Sequence, residues 1–156
     1  MKPVVCGLLL ALATGCAHSK IRNTDIDDTS ENREVLKFVE EYKSAVESLD
    51  ADAVLALVDP SFYEDNGNTD SSDDYDYEGL KTHLRESFER TKAMQLILRV
   101  DAVEVERDEA FAELYYEFRA HNEYPSGEKW NTGTDRTRLR LIRSGKDQPW
   151  RIAAGL

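Results

Sequence analysis

From position 30 onward, apolar residues recur first with a helical period and then with a strand period. Val35, Phe38, Val39, Tyr42, Ala45, Val46 and Leu49 lie three and four apart, which predicts one amphipathic helix from Ser30 to Leu49. Ser30 is expected to cap it, with Glu31 complementing the dipole in the first turn. Asp50 then restarts a helix as its N-cap, Val54, Leu57 and Val58 form a short apolar face, and Pro60 closes it. A third helix is predicted after Asp76, with Tyr77, Leu80, Leu84, Phe88 and Thr91 as its stripe. Past Lys92 the period falls to two. Leu96, Leu98 and Val100 alternate with Ile97, Arg99 and Asp101, and the phase slips at Ala102-Val103, which predicts a β-bulge. A long second strand puts Ala110, Ala112, Leu114, Tyr116, Phe118 and Ala120 on one face. Asn122 to Lys129, with Pro125 and Gly127, reads as a loop. A third strand places Thr137, Leu139 and Leu141 inside and Arg136, Arg138 and Arg140 outside. Trp150, Ile152 and Ala154 form a last strand. Short connections predict antiparallel neighbours. The plan is α+β: three N-terminal helices packed in a curved antiparallel sheet of four or more strands.

This order resembles the nuclear transport factor 2-like family, which includes SnoaL-like polyketide cyclase and ketosteroid isomerase groups. The features that carry the resemblance are the helix from Glu31 to Leu49 and the break at Leu49-Asp50-Ala51-Asp52 into a short helix. Phe62-Tyr63 after Pro60 and the ending Gln148-Pro149-Trp150-Arg151-Ile152 also fit. It covers residues 30–156 and rests on element order and texture. The resemblance implies a cystatin-like cone, with the sheet wrapped around the helices and a pocket at the wide end. It also implies a homodimer formed through the sheet.

The N-terminal segment carries a different pattern. Lys2 is followed by ten small or apolar residues, Val4 to Ala13. That run is too short for a bilayer span, which takes about 20 apolar residues, and it fits a secretory h-region. It ends in Leu12-Ala13-Thr14-Gly15-Cys16, which resembles the lipobox of bacterial lipoproteins. The resemblance implies a signal peptide over 1–15 and a diacylglycerol and N-acyl group on Cys16, palmitate among them, so that the membrane is a partner through that anchor. Ala17 stands where an inner-membrane-retaining Asp would stand, which favours the outer membrane and a periplasm-facing domain in a diderm host. Cys6 and Cys16 are the two cysteines, so a mature chain starting at Cys16 holds no pair for a disulfide. Residues 16–29 read as the lipidated Cys and a polar tether, and 30–156 as the domain.

Charge sharpens the picture. The chain carries a formal net charge of −11, which argues against nucleic acid as a partner. Between Ser44 and Leu80 there are eleven Asp and Glu and no Lys or Arg, and outside that stretch the charges balance. The densest part runs from Asp65 to Asp76. Asp70, Asp73, Asp74 and Asp76 are weak calcium candidates there, since oxygen-rich loops can hold Ca²⁺. The spacing Asn66-x-Asn68-x-Asp70 imitates the start of an EF-hand loop and then fails, with Ser71 in place of Gly and Tyr77 in place of the bidentate Glu. Asp73, Asp74 and Asp76 equally suit a helix start.

No cofactor is implied by any motif, and His18, His83 and His121 lack ligand spacing. The pocket is the better place for chemistry. Strand alternation predicts Tyr116 and Phe118 facing Asp135 and Thr137 across the inner face, with Tyr63 entering after the second helix. A carboxylate in an apolar pocket can act as general base and a phenol can stabilise an oxyanion, so Asp135, Tyr116 and Tyr63 are the catalytic candidates. On the outer face, Glu113 and Glu117 are the expected cross-strand partners of the arginines. Three readings remain open on sequence: a non-catalytic small-molecule-binding or protein-interaction module, an isomerase- or cyclase-type enzyme, and a structural envelope protein acting through dimerisation.

Overall fold

Each helix begins on a side chain that satisfies an otherwise orphaned backbone N–H. The computed structural model describes residues 19–156. The signal-like segment, Cys16 and His18 lie outside the described residues. Helix α1 spans Ser30–Glu47, and its cap is Thr29, whose hydroxyl accepts from the Asn32 N–H at 3.1 Å. Ser30, the expected cap, is already helical and its hydroxyl donates to Glu31 instead. Leu49 ends the turn at φ +55°, and Asp50 caps α2 (Ala51–Ala56) by accepting from the Ala53 N–H at 2.9 Å. Asp76 caps α3 (Tyr77–Arg90) through the Gly79 N–H at 3.0 Å. Between α2 and α3 two short strands that the sequence pattern did not announce, β1 (Tyr63–Glu64) and β2 (Tyr75–Asp76), pair with each other.

The main sheet is antiparallel in the order β3-β4-β5-β6, with β3 at Thr91–Glu106, β4 at Glu109–Tyr124, β5 at Gly127–Ile142 and β6 at Arg151–Ala154. The register slips between Val100 and Ala102, where the hydrophobic phase slipped. The segment Asn122–Lys129 is not a loop. Pairing continues to Tyr124 opposite Gly127, leaving Pro125-Ser126 as the turn. Side chains hold that extension: the Trp130 ring stacks on His121 with centroids 4.6 Å apart, and the Arg119 guanidinium lies 4.4 Å from the Trp130 ring centre.

The expected tether also differs from its 19–29 part in the structure. Lys20 and Asp27 form an antiparallel bridge and an ion pair at 2.8 Å, Ile26 is only 4% exposed, and the Asn32 amide donates to the Asp27 carbonyl. One buried isoleucine and a local turn bind this stretch to α1. The arginine pairings differ as well. Arg138 reaches Glu104 at 2.9 Å and Arg140 reaches Glu109 at 2.6 Å, rather than Glu113 and Glu117. Arg138 leans across the Phe111 ring, 4.3 Å from its centre, which carries the guanidinium over to the third strand. Arg143 is buried over the Trp150 ring and faces Glu34 and Asp108.

Two apolar clusters fill the space between helices and sheet, and they differ in how full they are. In the first, Val35, Phe38 and Val39 of α1 meet Ala110 and Ala112 of β4 and Leu139 and Leu141 of β5. The alanines let the helix approach, and each large side chain buried there contributes roughly 1.5–3 kcal/mol. Val58 bridges in parallel to Ile152 and ties the exit of α2 to β6. In the second cluster Val46, Val54 and Leu96 are buried, while Tyr42, Met94, Leu98, Tyr116 and Phe118 remain only partly covered. That end of the core is where a cavity opens.

The caps assign the acidic stretch a local task that can be measured. Asp76→Ala is expected to cost about 1 kcal/mol in urea unfolding, with Asp76→Asn close to the parent because Asn also caps. An unchanged midpoint for Asp76→Ala would remove capping as the role of this carboxylate.

Candidate functional site

The cavity has a volume of about 730 Å³ and is walled by α1, the β1 turn, three strands and the last residues of the chain. Tyr42 and Val46 come from α1, Met94, Leu96 and Leu98 from β3, and Leu114, Tyr116 and Phe118 from β4. The inner face of β4 changes character along its length, from Ala110 and Ala112 to Leu114, Tyr116 and Phe118. Where the alanines stand, helix and sheet close on each other. Where the larger residues stand, the elements are held apart. Gly133 lies opposite Phe118, and a Cβ there would come within 2.5 Å of the ring, so the missing side chain is what gives Phe118 its place.

Of the residues expected in the pocket, Tyr116, Phe118, Asp135 and Thr137 do line it. Asp135 pairs with Tyr116 in the strand register and stands exposed at the mouth, where its Oδ1 accepts from the Arg136 N–H at 2.8 Å. Tyr63 does not enter. It is 52% exposed, and its hydroxyl donates to the Asp74 carboxylate at 2.5 Å. The reason is strand alternation in β1: Tyr63 points out, so Glu64 points in.

Glu64 was not anticipated, and it shapes the wall. It is 9% exposed, and its Oε2 accepts from the N–H groups of Gly155 and Leu156 at 2.5 and 3.1 Å. Its Oε1 accepts from the Asn66 N–H at 3.2 Å. Thr137 donates its hydroxyl to the Gly155 carbonyl at 2.8 Å, and Tyr75 donates to the Leu156 carbonyl at 2.7 Å. Gly155 is at φ +94°, and a Cβ on it would lie 2.3 Å from the Arg138 carbonyl oxygen. Residues 154–156 are thereby fixed as one side of the cavity. The Glu64 carboxylate is held by three backbone donors.

Tyr42 belongs to the apolar stripe of α1. It sits deep, yet it keeps part of its surface toward the cavity. Among the described residues neither Tyr42 nor Tyr116 finds a hydrogen-bond partner for its hydroxyl. Burial, and then the neighbouring Tyr116 and Tyr75, push the Tyr42 phenol up to about 12. Burial, followed by the charge of Asp135, raises the Tyr116 phenol. Both are therefore neutral at ordinary pH, each with a hydroxyl to offer a ligand. The one sign of Tyr42 in the sequence is a hydroxyl on an otherwise apolar helical stripe.

The calcium candidates do not converge. Asp70 accepts from Ser72, Asp73 from Asn68, Asp74 from Tyr63, and Asp76 caps α3. Among the described residues no three His, Cys, Asp or Glu side chains form a metal-sized group. Among them, too, no helix is long and apolar enough to cross a membrane.

Solved structures share this architecture at low sequence identity. A ketosteroid isomerase-like protein from Erwinia carotovora atroseptica SCRI1043 superposes with a TM-score of 0.65 at 17% identity, over 81% of this chain and 94% of that one. The chain has the nuclear transport factor 2-like fold. The same nuclear transport factor 2-like fold relates it to a conserved protein from Planctomyces limnophilus DSM 3776, with a TM-score of 0.67, 10% identity, and coverage of 80% and 92%. A candidate scytalone dehydratase from Novosphingobium aromaticivorans DSM 12444 gives 0.64 at 9% identity, covering 80% of each chain. No family model and no curated protein matches the sequence.

The buried phenol makes an alkaline prediction. Tyr42 in the folded chain holds its proton to about 12, whereas an unfolded tyrosine releases it near 10.0. Its contribution is complete below pH 10 and is lost as pH rises through the folded value, since the unfolded state binds fewer protons in that window. Stability should fall there by at most about 1.4 kcal/mol per pH unit from this group. Urea unfolding at a series of alkaline pH values should show a shallower fall for Tyr42→Phe than for the parent.

Proposed function

We propose that this chain is an envelope lipoprotein whose domain binds a small molecule without transforming it. The observation that carries the reading is the cavity itself: largely apolar walls with two phenols that no group among the described residues satisfies. Its size falls within the range of roughly 300–1,000 Å³ usual for ligand sites. The state of two carboxylates that line the cavity supports binding over catalysis. Glu64 is taken up by backbone N–H groups, and Asp135 stands in solvent. Met94→Trp should fill the cavity and abolish binding of an apolar fluorescent dye while leaving the unfolding midpoint within a few degrees. Full dye binding by that variant would place the ligand elsewhere.

An isomerase- or cyclase-type activity is the second reading. It is supported by the pairing of Asp135 with Tyr116 and by the names of the ketosteroid isomerase-like and scytalone dehydratase neighbours. Such an enzyme would use Asp135 as base and Tyr116 as oxyanion donor, and Asp135→Asn would then abolish turnover.

The lipid anchor at Cys16 places the domain at the bacterial envelope, on the outer membrane in a diderm host. Cells fed a fatty-acid analogue should label the parent chain and not Cys16→Ser; an unlabelled parent would end the anchor reading. Self-association through the outer face of the sheet is supported by Ile97 and Trp130, which are 60% and 47% exposed there. Native mass spectrometry reports that state and any retained ligand together.

A further inference from the structure

We propose that the cavity takes an amphiphilic monocation, an apolar body that ends in an ammonium group held at the mouth by Asp135. The inference rests on the reading of the cavity as a binding site and names the ligand class of that same site. Its basis is the sign of the charges around the cavity. Glu64, Asp65 and Asp135 border it. Arg136 and Arg138 contribute to the same wall, but their charges lie on the other side of the sheet. The Arg138 guanidinium sits 2.9 Å from Glu104 and over the Phe111 ring on the outer face. Arg136 shares that face by strand alternation, and its charge is felt by Asp101, which pairs with Arg99. Among the described residues that line the cavity, none directs a cationic group inward.

Asp135 has the free capacity such a head group needs. One oxygen accepts from the Arg136 N–H and, among the described residues, the other has no partner. Its charge reaches inward, since it is one cause of the raised Tyr116 phenol. Three aromatic rings, Tyr42, Tyr116 and Phe118, line the cavity. Aromatic rings and a carboxylate together suit an alkylammonium, whose first carbons beside the nitrogen are themselves partly charged. Met94, Leu96, Leu98 and Leu114 supply the lining for an alkyl or aryl body. A carboxylate or phosphate head group would instead meet like charge at the mouth, and among the described lining residues no Lys or Arg turns inward to receive it. The acid-rich stretch between Ser44 and Leu80 supplies Glu64 and Asp65, and the net negative charge of the chain favours the approach of cations.

The test uses three probes of equal chain length: n-octylammonium, n-octanol and n-octanoate. Each is titrated calorimetrically at neutral pH and low salt into the full chain carrying Cys16→Ser, purified without detergent. The expected order is octylammonium tightest, octanol weaker by about two- to fivefold, as one exposed charge pair allows, and octanoate weakest. In Asp135→Asn the ratio of octylammonium to octanol affinity should fall toward one. Salt at about 0.5 M should shrink it likewise, by screening. Octanoate binding as tightly as octylammonium, or an unchanged ratio in Asp135→Asn, would overturn the ligand class. If octanol binds and octylammonium gains nothing, the class alone falls and the binding site stands. If none of the three binds, the binding-site reading falls and this inference with it.

Discussion

The inner face of β4 sets the distance between helices and sheet, and the rest of the structure follows from it. Ala110 and Ala112 allow α1 to bury Val35, Phe38 and Val39 with no gap. Six residues further along, Tyr116 and Phe118 are too large for the same approach and reach only partway across. A close-packed end and an open end on one pair of strands are therefore one gradient of side-chain volume. Protein interiors exclude voids because each missing contact forfeits dispersion energy. A cavity of this size persists because its walls are fastened from several directions, by the β4–β5 hairpin on one side and by Glu64, Thr137 and Tyr75 on the other.

The acidic stretch has two kinds of consequence. Locally, its members act one at a time: Asp50 and Asp76 start helices, Asp59 holds Ser61, Asp65 and Asp70 close tight turns, and Glu47 accepts from the Leu96 N–H. Each of these jobs needs an acceptor and no cation; Asp52 and Glu78 pair with Arg85 and Lys81, which lie beyond the stretch. Collectively, they hold the whole net negative charge of the chain. Two of them, Glu64 and Asp65, line the cavity.

Much of the architecture was legible because it follows from short-range periodicity. The stripe on α1, the caps Asp50 and Asp76, and the phase slip near Ala102 each depend on residues a few positions apart. The departures share a cause. Asn122–Lys129 has the composition of a loop, but Trp130 stacking on His121 across the hairpin overrides it. Arg138 passes Glu113, its neighbour in register, because the Phe111 ring supports a longer reach to Glu104. In the site, alternation on long strands placed Tyr116, Phe118, Asp135 and Thr137 on one face. For Tyr63 no such phase existed, because β1 is two residues long and owes its orientation to its pairing with β2.

Local pattern along the chain was enough for the order and type of elements, the faces of the long strands, the place of the excess charge in the chain, and the expectation of an anchor at Cys16. Tertiary structure alone decided that Glu64 rather than Tyr63 turns inward and that Tyr42 borders a cavity rather than a filled core. It also decided that Asp135 stands in water and that the wall arginines point away. The physical reason is range. Periodicity and capping are set within one or two turns of chain, whereas the environment of a carboxylate or phenol is set by whatever distant segments arrive beside it. Glu64 and Gly155 are 91 positions apart and meet at 2.5 Å.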